Sequence, residues 1–378
     1  MSVQIHLPVQ TILTRYAAPV QETLRNLIEE QRAGTCPLIE GLYGQISYHL
    51  GWVDRNFVPV QEHTGKLLRP ALLLLAYEAA GAAGLASRRD GLSHLARALP
   101  AAAALELLHN FTLLHDDIED GDIERRHRPT VWSLWGIPMA INTGDTIAFI
   151  AHLALFKLLG VGVDAHLLAD LEYQFDRAAL LVTEGQHLDF SFETQEKVTL
   201  SMYLEMITKK TARLMECATE MGARIGTSDK KVIDGLRQFG LKLGIAFQIR
   251  DDLLGIWGNR AQTGKTPSGD ILRRKKTLPI LHAFQHAGTQ DQAYLRTIYH
   301  AEKAPDAEQV EQVLEILDRT GSRDHAQHNL VAQCQAAKLA ISQIPFSSHS
   351  LAQEARDDLL TLVNYVQEDL WQAQTAQS

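Results

Sequence analysis

The amino-acid sequence predicts an all-α protein. From Thr11 onward, apolar residues recur at intervals of three and four, which places them on one face of a helix. No run alternates apolar and polar residues in the manner of a half-buried strand. Together these two observations favour a bundle of antiparallel helices.

Length and composition are consistent with one large domain. The chain has 378 residues with 46% hydrophobic content, which is enough for a sizeable core. No break in composition separates two halves. We therefore predict a single domain over residues 1–378, with N-terminal helices over 1–60, a motif-bearing core over 63–280 and C-terminal helices over 281–372.

Charge and cysteine content exclude several classes of protein. The net charge is −9, with 36 Lys and Arg against 45 Asp and Glu, which argues against nucleic-acid binding. The three cysteines are far apart and form no CxxC pair, so neither a zinc site nor a disulfide framework is indicated. This usage is typical of a reducing cytoplasm, where we expect the protein.

No secretion signal or membrane span is expected. The N-terminus lacks a basic segment followed by an apolar core, so no signal peptide is predicted. The apolar run over residues 71–86 is short for a bilayer and contains Glu78, which favours a buried helix.

The helices and their interruptions follow in order. Helical spacing extends over residues 11–62, with a break at GTCP (34–37), and Pro70 suits the first turn of a long apolar helix. Helices over 140–157 and 167–190 are joined by a glycine-containing turn at 160–162. The longest irregular loop, over 258–270, is a candidate lid, and the C-terminal helices are broken near 345–350.

The first chemical motif is HNFTLLHDDIED, at residues 109–120. On an ideal helix Asp116 and Asp120 lie about 40° apart and about 6 Å along the axis. Two carboxylates this close repel each other unless a cation lies between them. Carboxylate oxygens suit a hard divalent ion, although a single acidic pair is more often a solvated helix face.

A second acidic pair, Asp251 and Asp252, lies in FQIRDDLLG at residues 247–255. Both pairs are embedded in apolar sequence, which indicates that they face an internal cavity. Gln248 lies one turn before the second pair and shares its face.

Basic and amide residues accompany the acidic motifs. Guanidinium groups are preferred phosphate ligands, and a helix start also favours an anion, although these cations could simply neutralise nearby acids or solvate a helix. Metal ligands beside phosphate ligands suit a magnesium-bridged diphosphate. The candidates are Lys66 and Arg69 in HTGKLLRP, Arg125 and Arg126 in GDIERRHRPTVW, Gln186 and Asp189 in TEGQHLD, Lys210 and Thr211 in TKKTA, and Lys265 and Lys275 on or beside the long loop.

Taken together, these segments resemble those of the trans-isoprenyl diphosphate synthases, the polyprenyl synthetase family, and most of all its short-chain geranylgeranyl diphosphate synthases. The resemblance extends from about residue 65 to 279 through GKLLRP, HNFTLLHDDIED, RRHRPTVW, NTGD, GQHLD, KKTA, FQIRDD, TGK and KKTLP. It implies helices surrounding a deep central active-site cavity, usually in a homodimer. It also implies a magnesium-dependent condensation of isopentenyl diphosphate with an allylic diphosphate.

The resemblance implies a role for each motif residue. Three Mg²⁺ ions would be held by Asp116, Asp120 and Asp251, supported by Asp117, and the adjacent Asp252 is a further candidate metal ligand. Arg125, Lys210 and Lys265 would contact the allylic diphosphate, and closure of the long loop would also bring Lys275 onto phosphate. Lys66, Arg69, His109 and Arg126 would hold isopentenyl diphosphate, and Gln186, Thr211 and Gln248 would line the place where a carbocation forms.

Residues before the aspartates of the first motif are expected to set the product length. In the resembling family, bulky side chains at this place form the cavity floor, and Phe111 beside the small Thr112, with Leu108, resembles the geranylgeranyl-forming class. A C20 product is therefore predicted. On an ideal helix Phe111 lies about 140° from Asp116, so geometry alone would make it a core aromatic.

Several positions depart from the family pattern. Gly255 replaces a further aspartate of the second motif, His127 stands where a glycine is common, Thr64 replaces a glycine, and Leu67 an arginine. The C-terminal tail is not basic.

The alternative functions are a farnesyl or longer-chain synthase, a terpene cyclase, which needs no second diphosphate site, and a non-catalytic partner subunit.

Overall fold

The all-α prediction is confirmed. The computed structural model describes residues 7–60, 65–82, 93–258, 267–301 and 303–368, and these are mainly helical. The helices are α1 (Leu7–Arg32), α2 (Glu40–His49), α3 (Leu68–Ala79), α4 (Leu99–Glu119), α5 (Val131–Trp135), α6 (Ile137–Phe156), α7 (Ala165–Thr194), α8 (Leu200–Ile207), α9 (Arg213–Gly226), α10 (Lys230–Trp257), α11 (Gly269–Leu272), α12 (Leu278–His286), α13 (Thr289–Tyr299), α14 (Ala307–Arg319), α15 (Ser322–Ser342) and α16 (Ser350–Gln367).

One local prediction was wrong, and one pair of short strands was not predicted. Residues 50–60 form turns with a bridge between Val53 and Pro59, where helical spacing predicted a helix. Residues 124–129 form a hairpin of two antiparallel strands, β1 (Glu124–Arg125) and β2 (Arg128–Pro129). Strands of two residues are too short to show alternation, so the sequence pattern could not reveal them.

The backbone of the hairpin turn accounts for the glycine that is common at position 127 in the resembling family. His127 at the turn has φ of +63°, in the left-handed region that glycine adopts without steric cost. A glycine would therefore be favoured at this position, and the histidine adopts the same backbone under strain.

The core is centred on α3, whose residues from Pro70 to Ala79 are all buried. A helix that is buried on every side must lie at the middle of a bundle. Helix α3 packs against α9 and α4, α4 packs against α6, and α10 packs against α9 and α15. Glu78 inside α3 accepts a hydrogen bond from the hydroxyl of Tyr16 and contacts His94, each at 2.8 Å. The expectation of a buried helix is thus met over residues 71–79.

A smaller apolar cluster attaches the C-terminal helices to the end of α10. It contains Ile256 of α10, Ile271 of α11, Ile280 of α12 and residues of α13 and α14. Trp257 packs against both this cluster and the main core. The segment that follows the second acidic motif is therefore held beside that motif.

Helix α6 carries an apolar face that the main core does not cover. Within the described residues, 137–161 form a segment whose length and hydropathy would suffice to cross a membrane, and 39% of its most apolar window is buried. Its buried side packs against α4. The expectation of no membrane span rests on residues 71–86 and does not extend to this segment.

Candidate active site

The first acidic motif lies at the C-terminal end of α4. The side chains of Asp116 and Asp120 are 24% and 12% exposed, whereas that of Asp117 is 2% exposed. Asp116 and Asp120 are therefore accessible to a ligand. Asp117 lies behind them, and its Oδ2 is buried without a hydrogen-bond partner among the described residues.

Three cations from separate segments surround these carboxylates. Arg125 Nε donates a hydrogen bond to Asp117 Oδ1 at 2.5 Å, and its Nη2 lies 3.4 Å from Asp116 Oδ2. Lys210 Nζ lies 3.7 Å from Asp116 Oδ1, and Lys275 Nζ lies 3.7 Å from Asp120 Oδ2. Sequence-predicted metal ligands and phosphate ligands thus lie side by side.

The surroundings change the acidity of the three aspartates differently. Burial raises the pKa of Asp116, but Lys210, Arg125 and Lys275 outweigh burial and hold that pKa below its usual value. Burial raises the pKa of Asp117 to about 6 despite Arg125. Burial also raises the pKa of Asp120, which Lys275 opposes. Asp116 is therefore the carboxylate that the cations hold most firmly in its charged form.

A π-helical segment, Thr208–Ala212, joins α8 to α9 and carries Lys210 and Thr211. Such insertions into α-helices often occur at functional sites. Two glycines allow neighbouring helices to approach it. A Cβ on Gly185 of α7 would lie 2.2 Å from Lys210 N, and one on Gly244 of α10 would lie 2.6 Å from Ala212 Cα.

Polar side chains connect this segment to both acidic motifs. Gln186 Nε2 donates hydrogen bonds to Asp116 Oδ1 at 3.0 Å and to Glu119 Oε2 at 2.9 Å. Lys210 Nζ donates to Asp189 Oδ2 at 2.6 Å. Thr211 Oγ1 donates to Gln248 Oε1 at 2.6 Å. The structure therefore brings together Gln186 and Lys210 near the first motif, and Thr211 and Gln248 near the second.

The second acidic pair is divided between two environments. Asp251 is exposed, whereas Asp252 is 4% exposed. Asp252 accepts hydrogen bonds from Tyr203 Oη at 2.5 Å, Gln248 Nε2 at 3.0 Å and Leu278 N at 3.3 Å. Burial, with the nearby charge of Asp270, raises the pKa of Asp252 to about 7.

The prediction that Asp251 and Asp252 face the same cavity was therefore wrong. Consecutive residues on an α-helix point about 100° apart, so one of two adjacent aspartates turns away from a shared face. Asp252 instead ties α8, α10 and the start of α12 together, and Asp251 is the residue of this pair open to a ligand.

A second group of cations lies between α3, α4 and the hairpin. Arg69 Nη1 donates a hydrogen bond to His109 Nε2 at 2.9 Å, and Arg69 also interacts electrostatically with Glu106 and Asp251. Because arginine only donates, His109 Nε2 must accept. Burial, together with Arg69 and Arg126, lowers the pKa of His109 well below its usual value, so the ring is neutral.

Arg126 and Lys66 complete this group. The guanidinium of Arg126 packs over Gly65, where a Cβ would lie 2.8 Å from Nη2. Lys66 beside it is exposed. The buried Glu106 interacts electrostatically with both Arg69 and Arg126, and its pKa is raised by burial. Sequence reasoning missed Glu106, although an acid one helical turn before His109 in an apolar run was a usable signal.

The remaining predicted residues have less defined surroundings. Phe111 is half-buried and contacts the ring of His115, with centroids 4.7 Å apart. Leu108 is buried, and Thr112 Oγ1 donates to His109 O within the same helix. Their roles in product length stay predictions. Lys265 and Thr64 lie outside the described residues.

The fold and this grouping of acids and cations agree with the comparisons with known proteins. Residues 51–317 match the model of the polyprenyl synthetase family, and the chain therefore belongs to that family. The resemblance inferred from the sequence motifs is confirmed.

Individual relatives include synthases of two product lengths. The chain is 43% identical to the (2E,6E)-farnesyl diphosphate synthase of Mycobacterium tuberculosis over 244 residues, which are 65% of this chain. That match spans 64% of the relative, slightly less than two thirds of its length. The geranylgeranyl diphosphate synthase of the same organism is 36% identical over 332 residues, which cover 88% of each chain.

Solved structures show the same architecture. The polyprenyl synthetase from Streptomyces coelicolor A3(2) superposes with a TM-score of 0.81 at 30% identity, covering 95% of this chain and 99% of that one. The geranylgeranyl pyrophosphate synthetase from Pyrococcus horikoshii superposes with a TM-score of 0.79 at 30% identity, covering 96% and 98%.

Proposed function

We propose that this protein is a magnesium-dependent prenyltransferase that condenses isopentenyl diphosphate with an allylic diphosphate, forming a short-chain trans-prenyl diphosphate. The observation that carries this proposal is the enclosure of Asp116 and Asp120 by Arg125, Lys210 and Lys275. Carboxylates that would bind a metal ion and cations that would bind a diphosphate therefore lie in one site. The named relatives are farnesyl and geranylgeranyl diphosphate synthases.

The acidic residues fit Mg²⁺. Asp116, Asp120 and Asp251 would hold the ions, three per active site, with Asp117 in support. The donors are all carboxylate oxygens, which Mg²⁺ prefers, and Asp117 Oδ2 is buried without a described partner. When bound, Mg²⁺ would neutralise negative charge on the leaving diphosphate.

The basic residues around the first motif would bind the allylic diphosphate. Arg125, Lys210 and Lys275 already contact carboxylates there, and Lys265 joins them by family resemblance. Fixed cations stabilise the negative charge that develops on the diphosphate as its bond to the allylic carbon breaks.

The second group of cations would bind isopentenyl diphosphate. Arg69 and Arg126 supply guanidinium groups, which form paired hydrogen bonds with phosphate, and Lys66 and neutral His109 lie beside them. A terpene cyclase has no need for this second diphosphate site. The group therefore favours a reaction between two diphosphate substrates.

The side-chain oxygens between the two motifs would stabilise the carbocation. Thr211 and Gln248 are held to each other by a hydrogen bond, and Gln186 is held to Asp116, so their dipoles are fixed before the reaction. Apolar neighbours would exclude water. The double bond of isopentenyl diphosphate then attacks the allylic carbon, and a proton leaves to the departing diphosphate.

For the product we propose geranylgeranyl diphosphate (C20). The support is Phe111 beside Thr112, before the aspartates of the first motif, and a geranylgeranyl diphosphate synthase relative that matches over 88% of the chain. The alternative is farnesyl diphosphate, which is supported by the higher identity to a farnesyl diphosphate synthase over a shorter region.

The decisive experiment is incubation with Mg²⁺, labelled isopentenyl diphosphate and each allylic primer in turn, followed by product sizing. We expect C20 to dominate, and a C15 product would support the alternative. Turnover of an allylic diphosphate without isopentenyl diphosphate would indicate a cyclase. Absence of any turnover would indicate a regulatory subunit.

We also propose that the protein is a cytoplasmic homodimer and that a second copy covers α6 and α7. Phe149, Phe156 and Tyr173 on these helices are 70%, 55% and 61% exposed, a large apolar area for a surface. Phe149→Glu should convert the dimer to monomer in sedimentation velocity. Leu339→Glu on α15, where the leucine is 59% exposed, is the matched control and should leave the dimer intact. An unchanged Phe149→Glu dimer would contradict this interface.

A further inference from the structure

The space in which a side chain at position 255 of α10 would lie is occupied by the carboxylate of Asp270. A Cβ on Gly255 would lie 2.0 Å from Asp270 Oδ2 and 2.5 Å from its Cγ. These distances are far inside van der Waals contact, so the Asp270 carboxyl group fills the space in which a residue 255 side chain would begin. Only glycine at 255 leaves room for it.

This space lies on the same face of α10 as Asp251. Residues four apart on an ideal helix are about 40° apart and about 6 Å along the axis. The Asp270 carboxylate is therefore placed one helical turn beyond Asp251. It is the turn at which the resembling family carries a further aspartate and this chain carries Gly255.

The segment that carries Asp270 is held against the end of α10. Ser268 Oγ donates a hydrogen bond to Ile256 O at 3.1 Å, and Lys275 N donates to Asp270 O at 2.8 Å. Ile271 is fully buried beneath the segment. The Asp270 side chain is 14% exposed, so it is largely enclosed at this position.

The same segment also reaches the first acidic motif. Arg273 Nη1 lies 3.3 Å from Asp122 Oδ1, and Arg273 Nη2 lies 3.9 Å from Asp270 Oδ1. Lys275 Nζ lies 3.7 Å from Asp120 Oδ2. Asp270 therefore belongs to a short stretch of chain that lies between the two acidic motifs.

We propose that Asp270 supplies the carboxylate that Gly255 lacks and contributes, beside Asp251, to the affinity of the site for Mg²⁺. Gly255 and Asp270 act together, because the absence of a side chain at position 255 leaves space for the Asp270 carboxylate. This inference rests on the proposed magnesium-dependent function. Additional carboxylate charge near a divalent ion increases affinity, and loss of a supporting group typically costs about 10–100-fold.

The test is a calorimetric titration of the full chain with Mg²⁺ in the presence of inorganic pyrophosphate. Asp270→Asn removes the charge, and Gly255→Ala displaces the carboxylate without removing it. Each should weaken Mg²⁺ binding by about tenfold. The double variant should be no weaker than either single variant, since both changes remove the same interaction.

Two controls and one rescue define the outcome. Gly41→Ala lies in α2, where no described atom outside its own helix is within 4 Å of the new Cβ, and Asp318→Asn alters an exposed carboxylate on α14. Neither should change Mg²⁺ binding. Gly255→Asp combined with Asp270→Ala returns a carboxylate to the same turn of α10 and should restore affinity.

Failure of this inference differs from failure of the proposed function. A wild-type protein that binds no Mg²⁺ with pyrophosphate would contradict both. Normal wild-type binding with unchanged affinity in Asp270→Asn and Gly255→Ala would overturn only the role of Asp270. If Asp270→Asn fails to fold, Gly255→Ala still decides, because it retains the aspartate.

Discussion

Gly185 offers a test of whether the π-helical segment positions the candidate active site. Gly185→Ala would place a Cβ 2.2 Å from Lys210 N and 2.6 Å from Lys210 Cα. Ordinary contact begins near 3.4 Å, so the backbone would have to move by about 3.4 − 2.2 = 1.2 Å. The atoms it meets belong to the backbone, which cannot rotate away as a side chain can.

The expected effect on rate exceeds the expected effect on stability. A misplacement of about 1 Å in a positioning group can reduce the rate by about 100-fold. Overpacking costs about 1–3 kcal/mol, but alanine is favoured over glycine in a helix by about 1 kcal/mol. We therefore expect kcat to fall by about 100-fold while the free energy of unfolding falls by no more than about 2 kcal/mol.

The assay compares steady-state condensation with urea unfolding for wild type, Gly185→Ala and Gly41→Ala. The last variant adds the same methyl group in α2, where the described part of the chain places no atom from outside that helix within 4 Å of it. A kcat for Gly185→Ala equal to that of Gly41→Ala would refute the positioning argument. Equal large losses of stability and rate would do the same, because they would indicate general unfolding.

Three further predictions concern single side chains. Asp116→Ala should lower condensation by several orders of magnitude with little change in melting temperature, because the carboxylate is a proposed metal ligand, and a wild-type rate would contradict that role. Phe111→Ala should lengthen the product in chromatographic sizing, and an unchanged distribution would remove its chain-length assignment. Burial and the charge of Asp270 raise the pKa of Asp252 from 3.8 to about 7, so the folded state keeps a proton that the unfolded state releases. Stability should therefore fall as pH rises through this range, and urea titrations should show a smaller fall for Asp252→Asn; equal falls would contradict the assignment.

The sequence predicted those parts of the site that depend on helical period and residue chemistry. Asp116 and Asp120 share one face of α4 because residues four apart on a helix nearly align. The same reasoning, applied to the adjacent residues Asp251 and Asp252, should have separated them, and the structure places Asp252 in the packing.

Other features depend on tertiary contacts that spacing does not contain. The π-helical segment is stabilised where Gly185 and Gly244 admit neighbouring backbones, and no local pattern identifies it. Asp270 meets Gly255 only because Ile271 packs into the C-terminal cluster and returns the chain to α10. The sequence revealed the loss of an aspartate at 255 but not the carboxylate that takes its place.

Lys210 and Thr211 are adjacent in the chain, and this adjacency matters for the two charges, the diphosphate anion and the carbocation, that form when the allylic bond breaks. Lys210 points to Asp189 and Asp116, whereas Thr211 points to Gln248. Under the proposed roles, Lys210 binds the departing diphosphate and Thr211 faces the carbocation. Their Cα atoms are about 3.8 Å apart across one peptide unit. The separation of their Cα atoms is fixed by covalent bonds, so the backbone positions of the two residues cannot move apart, and an insertion between them would separate the two roles.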